Sequence, residues 1–337
     1  MQQTAQPTPE LFYRILTAFQ QSAALKAAME LEIFTEIGPE QKTAGEIADL
    51  CQASERGIRI LCDTMTILGL LTKNEDRYGL TDVSASFLDR QSPTYCGDAF
   101  HFIMSPTQMR GFETLTEAVR KGGSAVEDDG ALEPENPMWV KFARGMAGMM
   151  FPAARMMAEK LDFEIERPLK ILDLAAGHGI FGIMMAKKYP NAQVYAVDWG
   201  NVLHVASEKA EKFGVSERHH TIPGSAFEVE YGEDYDVILL TNFLHHFDPE
   251  TCENLLQKIN RSLAVDGKLL TLEFIPNDDR ISPPAEAMFS LVMLAGTPSG
   301  DAYTFAELRR MFENSGFSRN QHIPLTPLPQ HLVVSQK

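Results

Sequence analysis

The chain has 337 residues, of which 44% are hydrophobic and 23% are charged. This composition is typical of globular proteins and excludes the fibrous and low-complexity classes, while the length predicts more than one domain. The formal net charge of -16 repels polyanions, so we expect no nucleic-acid partner. The four cysteines form no Cys-x-x-Cys pair, and we expect them to be free thiols.

We expect no targeting signal at the start of the chain. Residues 1–7 lack the basic start and apolar core of a signal peptide. No apolar run reaches the roughly 18 residues that a membrane span needs. We therefore expect a cytoplasmic protein with no membrane partner.

The first helices are predicted from composition and spacing. Residues 23–31 are rich in strong helix formers. Leu31, Phe34 and Ile37 then recur at a spacing of three, which suits one buried helical face.

Two helix starts and a hairpin follow. Thr43 and Glu46 have the spacing of a capping box, in which each side chain caps the other residue's backbone. Ser54 is the cap of a second amphipathic helix, which Gly69 ends. Residues 70–81 indicate two short strands around a polar turn. The order helix, helix and hairpin predicts a winged helix.

A winged helix usually reads DNA, so that function has to be weighed here. Between Glu40 and Arg90 there are six basic and nine acidic residues, and the second helix is mostly apolar. DNA-reading helices instead carry basic and amide side chains. We therefore interpret this part of the chain as a dimerisation module.

The middle of the chain is predicted to be helical from about Pro106 to Leu161, with interruptions. Residues 122–124 break the pattern, and the acidic residues 127–130 predict a loop. A methionine-rich run follows, and flexible thioethers suit irregular apolar surfaces. Helix core and the wall of a substrate pocket both remain open for this run, which includes Phe142, Met146 and Met149.

Beyond Pro168 short apolar strands alternate with helices, which predicts an α/β fold with a mostly parallel, Rossmann-like sheet. The tail could add two strands, the last antiparallel. The predicted strands are 169–175, 193–197, 235–240, 268–274, 317–323 and 330–335. The predicted domains are a helical, winged-helix dimerisation domain (1–105), connecting helices that line the substrate pocket (106–165) and a catalytic domain (166–337).

The first of these strands runs into a glycine-rich turn. Gly177, Gly179 and Gly182 satisfy the dinucleotide pattern Gly-x-Gly-x-x-Gly. Glycines let a backbone approach a ligand closely, whichever ligand it is. The glycines alone therefore leave a nicotinamide cofactor and S-adenosylmethionine both open.

Two carboxylates bear on that choice. Asp173 lies four residues before Gly177, where it disfavours an anionic pyrophosphate and favours the ammonium and sulfonium of S-adenosylmethionine. Asp198, at the end of the next strand, can accept hydrogen bonds from ribose hydroxyls in either cofactor. Trp199 offers a flat surface for adenine, or serves packing alone.

From about Leu11 onward the chain resembles the bacterial and plant small-molecule O-methyltransferases of the caffeate and hydroxyindole type. The resemblance implies that the Asp-x-Gly-x-Gly-x-Gly loop binds the methionine part of S-adenosylmethionine, with Ala175 in place of the first glycine. It also implies that Ser225 stands where the family has an acid, and that Ser225 and Phe227 lie near the adenine. The predicted cofactor-binding residues are Asp173, Ala175, Gly177, Gly179, Asp198, Trp199, Ser225, Phe227 and Asn242.

A candidate base follows the strand at residues 237–240, where polar residues occupy the carboxyl end. Alignment with the family's base motif places the general base at His245, beside His246. An imidazole can take the proton of an attacking phenol. The alternative is that the two histidines only cap the helix near Pro249. No third metal ligand has suitable spacing, so we expect no metal.

The resemblance also implies that Glu273 orients the base. The family's second such acid falls at Ala302, so it is absent unless Asp301 substitutes for it. The predicted substrate pocket comprises Phe142, Met146, Met149, His246, Met288, Phe289 and Met293.

These features predict a homodimeric enzyme that methylates a hydroxyl group of a small phenolic acceptor and releases S-adenosyl-L-homocysteine. Transfer to carbon or nitrogen is an alternative. Two further alternatives are a nicotinamide oxidoreductase and a winged-helix regulator that binds a small effector.

Overall fold

A computed structural model describes residues 7–126 and 135–337. The expectations for residues 1–6 and the loop predicted at 127–130 lie outside this range. The chain divides into two compact units, residues 1–100 and 101–337. The boundary predicted at residue 105 falls just beyond this division, and the predicted connecting segment 106–165 belongs to the second unit.

The first unit is helical with a small sheet. Thr43 and Glu46 form the predicted capping box, and the Ser54 side chain caps the second amphipathic helix. Its elements are α1 (Glu10–Leu16), α2 (Phe19–Glu30), α3 (Ile33–Ile37), β1 (Lys42–Thr43), α4 (Ala44–Leu50), α5 (Glu55–Ile67), β2 (Leu71–Asn74), β3 (Arg77–Leu80) and α6 (Asp82–Phe87).

The predicted helical face at residues 31–37 is divided between two helices. Glu32 adopts the left-handed conformation, with a φ of 53°, and separates α2 from α3. Phe34 and Ile37 are nevertheless buried. The predicted hairpin is β2 and β3, and β1 adds a third strand in the order β1-β3-β2.

The second unit contains the large sheet. A short helix, α7 (Ala99–Ile103), crosses the division between the units. The helices that follow are α8 (Pro106–Glu113), α9 (Leu115–Lys121), α10 (Pro137–Glu159), α11 (Ile180–Lys188), α12 (Gly200–Lys212), α13 (Pro249–Ser262), α14 (Pro284–Gly296) and α15 (Phe305–Asn314). The strands are β4 (Lys170–Leu174), β5 (Gln193–Asp198), β6 (His219–Pro223), β7 (Tyr235–Thr241), β8 (Leu263–Phe274), β9 (Arg319–Pro324) and β10 (Gln330–Gln336).

The sheet of the second unit has the strand order β6-β5-β4-β7-β8-β10-β9. The pairs from β6 to β8 are parallel, and β10 runs antiparallel to both of its neighbours. The predicted α/β fold with a mostly parallel sheet is therefore confirmed. The chain leaves β4 first towards β5 and later returns to β7 on its other side, and such a reversal opens a crevice at the carboxyl ends of the strands.

The sequence analysis missed strand β6. This strand begins with His219, His220 and Thr221 and lies at the edge of the sheet. Of its five residues only His219 is buried. An edge strand with one solvent-facing side does not need the apolar run by which the other strands were recognised.

The methionine-rich run lies on α10, which has 23 residues. Met146, Met150 and Met157 are buried, whereas Met149 is 39% exposed. The burial of the first three agrees with the core interpretation, and the pocket interpretation stays a prediction. Among the described residues, none of the helices has the length and apolar character of a membrane span.

Candidate active site

The candidate site lies along one edge of the large sheet. β4 is paired in parallel with β5 and with β7, and β7 is paired in parallel with β8. The carboxyl ends of parallel strands meet at the same edge. The predicted residues in the turns after these strands are therefore brought together.

Asp173 is completely buried on β4. Its Oδ2 accepts a hydrogen bond from the Gly182 backbone N–H at 3.0 Å, and its Oδ1 has no partner among the described residues. Burial raises the pKa of this carboxyl to about 8, against the effect of the Gly182 hydrogen bond. The carboxyl is therefore mostly protonated at neutral pH.

The turn after β4 depends on left-handed backbone conformations. Gly177 and Gly179 have φ values of 56° and 70°, which cost glycine nothing. Ala175, at the position where the family has glycine, also adopts a left-handed conformation, with a φ of 52°. The turn thus keeps its shape despite the substitution, at a cost of about 1 kcal/mol in backbone strain.

Asp198 is joined to this turn. Its Oδ2 accepts from the Gly177 N–H at 2.8 Å and its Oδ1 accepts from the Trp199 N–H at 2.7 Å. Burial raises the pKa of Asp198 to about 6, so it is ionised at neutral pH. Trp199, like Trp139, packs against a small apolar cluster that includes Ala143 and Val202.

His178, which the sequence analysis did not single out, belongs to the same turn. Its Nδ1 accepts from the Ile180 N–H at 3.2 Å, and its ring stacks on Phe142 with centroids 6.5 Å apart. Burial lowers its pKa to about 3, so it is neutral. Its position between two glycines was the only signal for it in the sequence.

Asn242 follows β7 with a φ of 53°. Its backbone N–H donates to the Leu272 carbonyl at 2.7 Å, while its side-chain Oδ1 is buried and has no partner within the described chain. Asn242 and Asp173 therefore place two unpaired side-chain oxygens at the ends of neighbouring strands.

His245 and Glu273 form a buried pair. The His245 Nδ1 lies 2.5 Å from the Glu273 Oε2. The Glu273 Oε1 accepts from the backbone N–H groups of Phe243 and Leu244 at 3.0 and 2.8 Å. A carboxylate accepts hydrogen bonds, so Nδ1 carries the proton of the neutral ring. Nε2 is then the basic nitrogen, and no described residue pairs with it.

The cap of α13 is Asp248, whose Oδ1 accepts from the Thr251 N–H at 3.0 Å. The histidine pair therefore does not cap this helix. His246 is half-buried and meets the edge of Trp139, a residue that the sequence analysis missed, at 5.8 Å. Burial, together with His245 beside it, lowers the pKa of His246.

Some of the predicted pocket residues surround the base and others do not. The Phe289 ring meets the His245 ring edge-on at 4.9 Å and stacks on Phe274 at 4.0 Å. Phe142 lies against Gly177 in the turn after β4. Met293 is buried on α14, but Met288 is 66% exposed.

Ser225 and Phe227 belong to the loop after β6. The Ser225 Oγ accepts from the Phe227 N–H at 3.2 Å, and the Gly224 N–H donates to the Asp198 carbonyl at 2.9 Å. This loop is therefore joined to the end of β5. Phe227 also packs against Phe247, with ring centroids 5.0 Å apart, close to the histidine pair.

Asp301 is paired with Arg280, and no hydrogen bond joins it to His245 among the described residues. Its carboxylate pairs with Arg280 at 3.1 Å, and Arg280 also pairs with Glu307. Ala302 is buried. In the part of the chain that the structure describes, no cluster of three or more His, Cys, Asp or Glu residues could hold a metal ion.

The mostly parallel sheet, its glycine-rich turn and the polar groups at its carboxyl edge define an α/β enzyme of the methyltransferase type. An O-methyltransferase domain model matches residues 115–318, and an O-methyltransferase dimerisation domain model matches residues 13–90. The chain therefore belongs to the O-methyltransferase family. It is an S-adenosylmethionine-dependent O-methyltransferase, and this assignment replaces the oxidoreductase and regulator alternatives.

The relatives span nearly the whole chain. The 3-hydroxy-5-methyl-1-naphthoate 3-O-methyltransferase of Streptomyces sahachiroi is 28% identical over 92% of this chain and 90% of its own length. A crystal structure of a candidate O-methyltransferase from Nostoc punctiforme is 52% identical, with a TM-score of 0.94, and covers 99% of this chain and 100% of that one. Human N-acetylserotonin methyltransferase in complex with S-adenosylmethionine is 23% identical, with a TM-score of 0.87 over 100% of this chain and 99% of that one, and so shares the fold.

Gly300 gives a test of how tightly the turn around the base is packed. A Cβ at Gly300 would overlap the His245 carbonyl oxygen and lie 2.7 Å from the Thr297 Oγ1. We expect Gly300→Ala to lower the free energy of unfolding by about 1–3 kcal/mol, measured by urea denaturation. Gly296→Ala is the matched control, because a Cβ at Gly296 meets nothing within 4 Å. Equal stability of the two variants would show that the turn is not tightly packed.

Proposed function

We propose that this enzyme methylates a hydroxyl group of a small aromatic, phenolic acceptor, with His245 as the general base and Glu273 as the acid that orients it. The observation that carries the proposal is the buried His245–Glu273 pair, at 2.5 Å, beside the turn after β4. The unpaired Nε2 of His245 is the group that could accept a proton there.

The pair has the geometry that a base needs. Glu273 holds the proton on Nδ1, so Nε2 offers its lone pair to the hydroxyl of the acceptor. As the acceptor oxygen attacks, its proton passes to Nε2, and the negative charge of Glu273 stabilises the imidazolium that forms. S-adenosylmethionine supplies an electrophilic methyl group on a sulfonium. The oxygen–carbon bond forms as the carbon–sulfur bond breaks, and much of the rate comes from positioning.

The residues at the carboxyl edge fit this cofactor. The unpaired Oδ1 atoms of Asp173 and Asn242 are acceptors that suit the ammonium of the methionine part. The left-handed turn with Ala175, Gly177 and Gly179 would bring backbone close to the same part.

The nucleoside part has its own candidate residues. Asp198 keeps acceptor capacity for ribose hydroxyls, because each of its oxygens accepts only one backbone N–H. We assign the recognition of adenine to Trp199, Ser225 and Phe227. The Gly224 N–H donates to the Asp198 carbonyl, so the loop that carries Ser225 and Phe227 is joined to the end of β5.

Aromatic rings near the base support an aromatic acceptor. Phe289 lies edge-on to His245, and Trp139 links His246 to Phe142, with its ring 5.8 Å from each. Such rings favour flat, apolar ligands. The naphthoate and acetylserotonin substrates named for two relatives carry aromatic rings as well. Met146, Met149, Met288 and Met293 remain predictions for this pocket.

We further propose a homodimer that forms through the N-terminal domain. The residues matched by the dimerisation model include most of α1, which has no buried residue in the single chain. Six large apolar residues near the start of the chain are at least 57% exposed: Leu11, Phe12, Tyr13, Ile15, Leu16 and Phe19. A contiguous exposed patch of this kind is typical of a protein interface.

His245→Ala tests the base. We expect methyl transfer to fall about 100-fold or more, because the proton acceptor is lost, while the Kd of S-adenosylhomocysteine stays nearly unchanged. Radiolabelled methyl transfer to a panel of phenols, quinones and amines measures the first quantity, and calorimetry the second. His204→Ala is the control, since His204 is exposed on α12. Turnover of His245→Ala at the wild-type rate would refute the assignment.

The raised pKa of Asp173 predicts proton release on cofactor binding. At pH 7 the carboxyl, with its pKa of about 8, is mostly protonated, and an adjacent ammonium favours the carboxylate. We therefore expect binding of S-adenosylhomocysteine to release protons and to tighten as the pH rises from 6 to 8. Calorimetry in buffers of different ionisation enthalpy measures the release. Asp173→Asn cannot titrate, and an undiminished release in this variant would contradict the prediction.

The double variant Phe12→Glu and Phe19→Glu tests the dimer. Charges in an apolar interface are costly to bury, so we expect sedimentation velocity to show dimers for the wild type and monomers for the variant. Val265→Glu is the control, because Val265 is 84% exposed and belongs to the second unit. A variant that still forms dimers would rule out this surface as the interface.

A further inference from the structure

Lys258 makes contacts that the proposed chemistry does not use. Its Nζ donates to the carbonyl oxygens of Ala226, Phe227 and Val229 at 3.4, 2.9 and 2.7 Å. An ammonium has three N–H donors, so all three are directed at one short stretch of backbone. Nζ also lies 4.5 Å from the centre of the Tyr231 ring. Partial burial lowers the pKa of Lys258.

The backbone that Lys258 holds is a compact turn at residues 224–229, named here the adenine-side loop. The Ser225 carbonyl accepts from the N–H groups of Glu228 and Val229, each at 3.0 Å. Gly224 has a φ of 135°, and a Cβ there would overlap the Val229 side chain. One end of the loop is hydrogen-bonded to Asp198 on β5, and Lys258 holds the rest of it.

The helix that carries Lys258 also holds the turn around the base. Asp248 caps the first residues of α13, and the Cys252 Sγ donates to the Leu244 carbonyl at 3.3 Å. Lys258 lies ten residues after Asp248, which is about 15 Å along a helix. A single rigid helix therefore sets the separation between His245 and the adenine-side loop.

We propose that Lys258 is a positioning residue that shapes the adenine-side loop and thereby sets the affinity for the nucleoside half of S-adenosylmethionine. The inference rests on the proposed placement of adenine against Ser225 and Phe227. Lys258 acts through the loop, since its three donors are already used by backbone carbonyls. Lys258 contributes to nucleoside binding and takes no part in the transfer of the methyl group.

Lysine suits this position for a geometric reason. Its ammonium is a compact donor whose three N–H groups can point at three different carbonyls, whereas arginine presents a planar fork. Methionine has a similar length and no donor. Lys258→Met would leave three carbonyl oxygens without this partner, and the loop would lose its tether to α13.

The test compares two ligands on Lys258→Met. We expect the Kd values of S-adenosylhomocysteine and of adenosine, measured by calorimetry, to rise by the same factor of about ten or more. We expect kcat at saturating S-adenosylmethionine to stay within about twofold of the wild type, because the base and the methyl group are unaffected. If Lys258 only stabilised the fold, Lys258→Met would lower the melting temperature without raising the two Kd values at a nearly unchanged kcat.

Three variants serve as controls. Arg261→Met removes a charge from the same helix three residues away, where the side chain is exposed, and should leave both Kd values unchanged. Asp173→Asn should raise the Kd of S-adenosylhomocysteine and leave the Kd of adenosine unchanged, because adenosine has no ammonium. Lys258→Arg keeps the charge and should raise both Kd values by a smaller factor than methionine does.

The outcomes separate this inference from the proposed function. Suppose that the wild type binds S-adenosylhomocysteine and that Asp198→Ala weakens this binding. If Lys258→Met then leaves the Kd of adenosine unchanged, the Lys258 inference alone is wrong. If the wild type does not bind S-adenosylhomocysteine, the proposed cofactor site itself fails. Should Lys258→Met not fold, Lys258→Arg carries the test, and unchanged Kd values for it would overturn the inference.

Discussion

The carboxylate of Glu273 joins the end of β8 to the turn that follows β7. It accepts two backbone N–H groups of that turn and lies against the His245 ring. A buried carboxylate is costly unless donors surround it, and here three donors do. The contacts that stabilise the buried carboxylate of Glu273 thus also hold the turn and orient the imidazole. They leave the Nε2 of His245 available for chemistry.

Burial determines the charge of several groups around the cofactor turn. Asp173 is held mostly protonated and His178 neutral, whereas Asp198 remains ionised at neutral pH. Of these three groups, only Asp198 therefore carries a charge at neutral pH before a cation arrives. An ammonium next to Asp173 would then meet an acid that can ionise in response, which couples cofactor binding to the pH.

Two helices connect the parts of the site. α10 places Phe142 against Gly177 and Met150 near the amide of Asn242, with the sulfur 3.8 Å from Nδ2. α13 holds the turn around His245 at one end and the adenine-side loop near the other. Each of these helices therefore joins two parts of the site that are far apart in the sequence.

Local features of the chain were determined by the sequence itself. The capping box at Thr43, the strands β4, β5, β7 and β8, and the acid before Gly177 all follow from residue types at short spacing. These rules work because a capping residue, an apolar run or a tight turn depends on neighbours within a few positions.

Only the tertiary structure decided which distant groups meet. Arg280 pairs with Asp301, and Lys258 donates to three carbonyls of the adenine-side loop. Met288 is exposed, although its helix neighbour Phe289 contacts the base. The polar strand β6 could be recognised only once its place at the sheet edge was known. Such contacts join residues far apart in sequence, and their partners are selected by packing and burial, which no local pattern encodes.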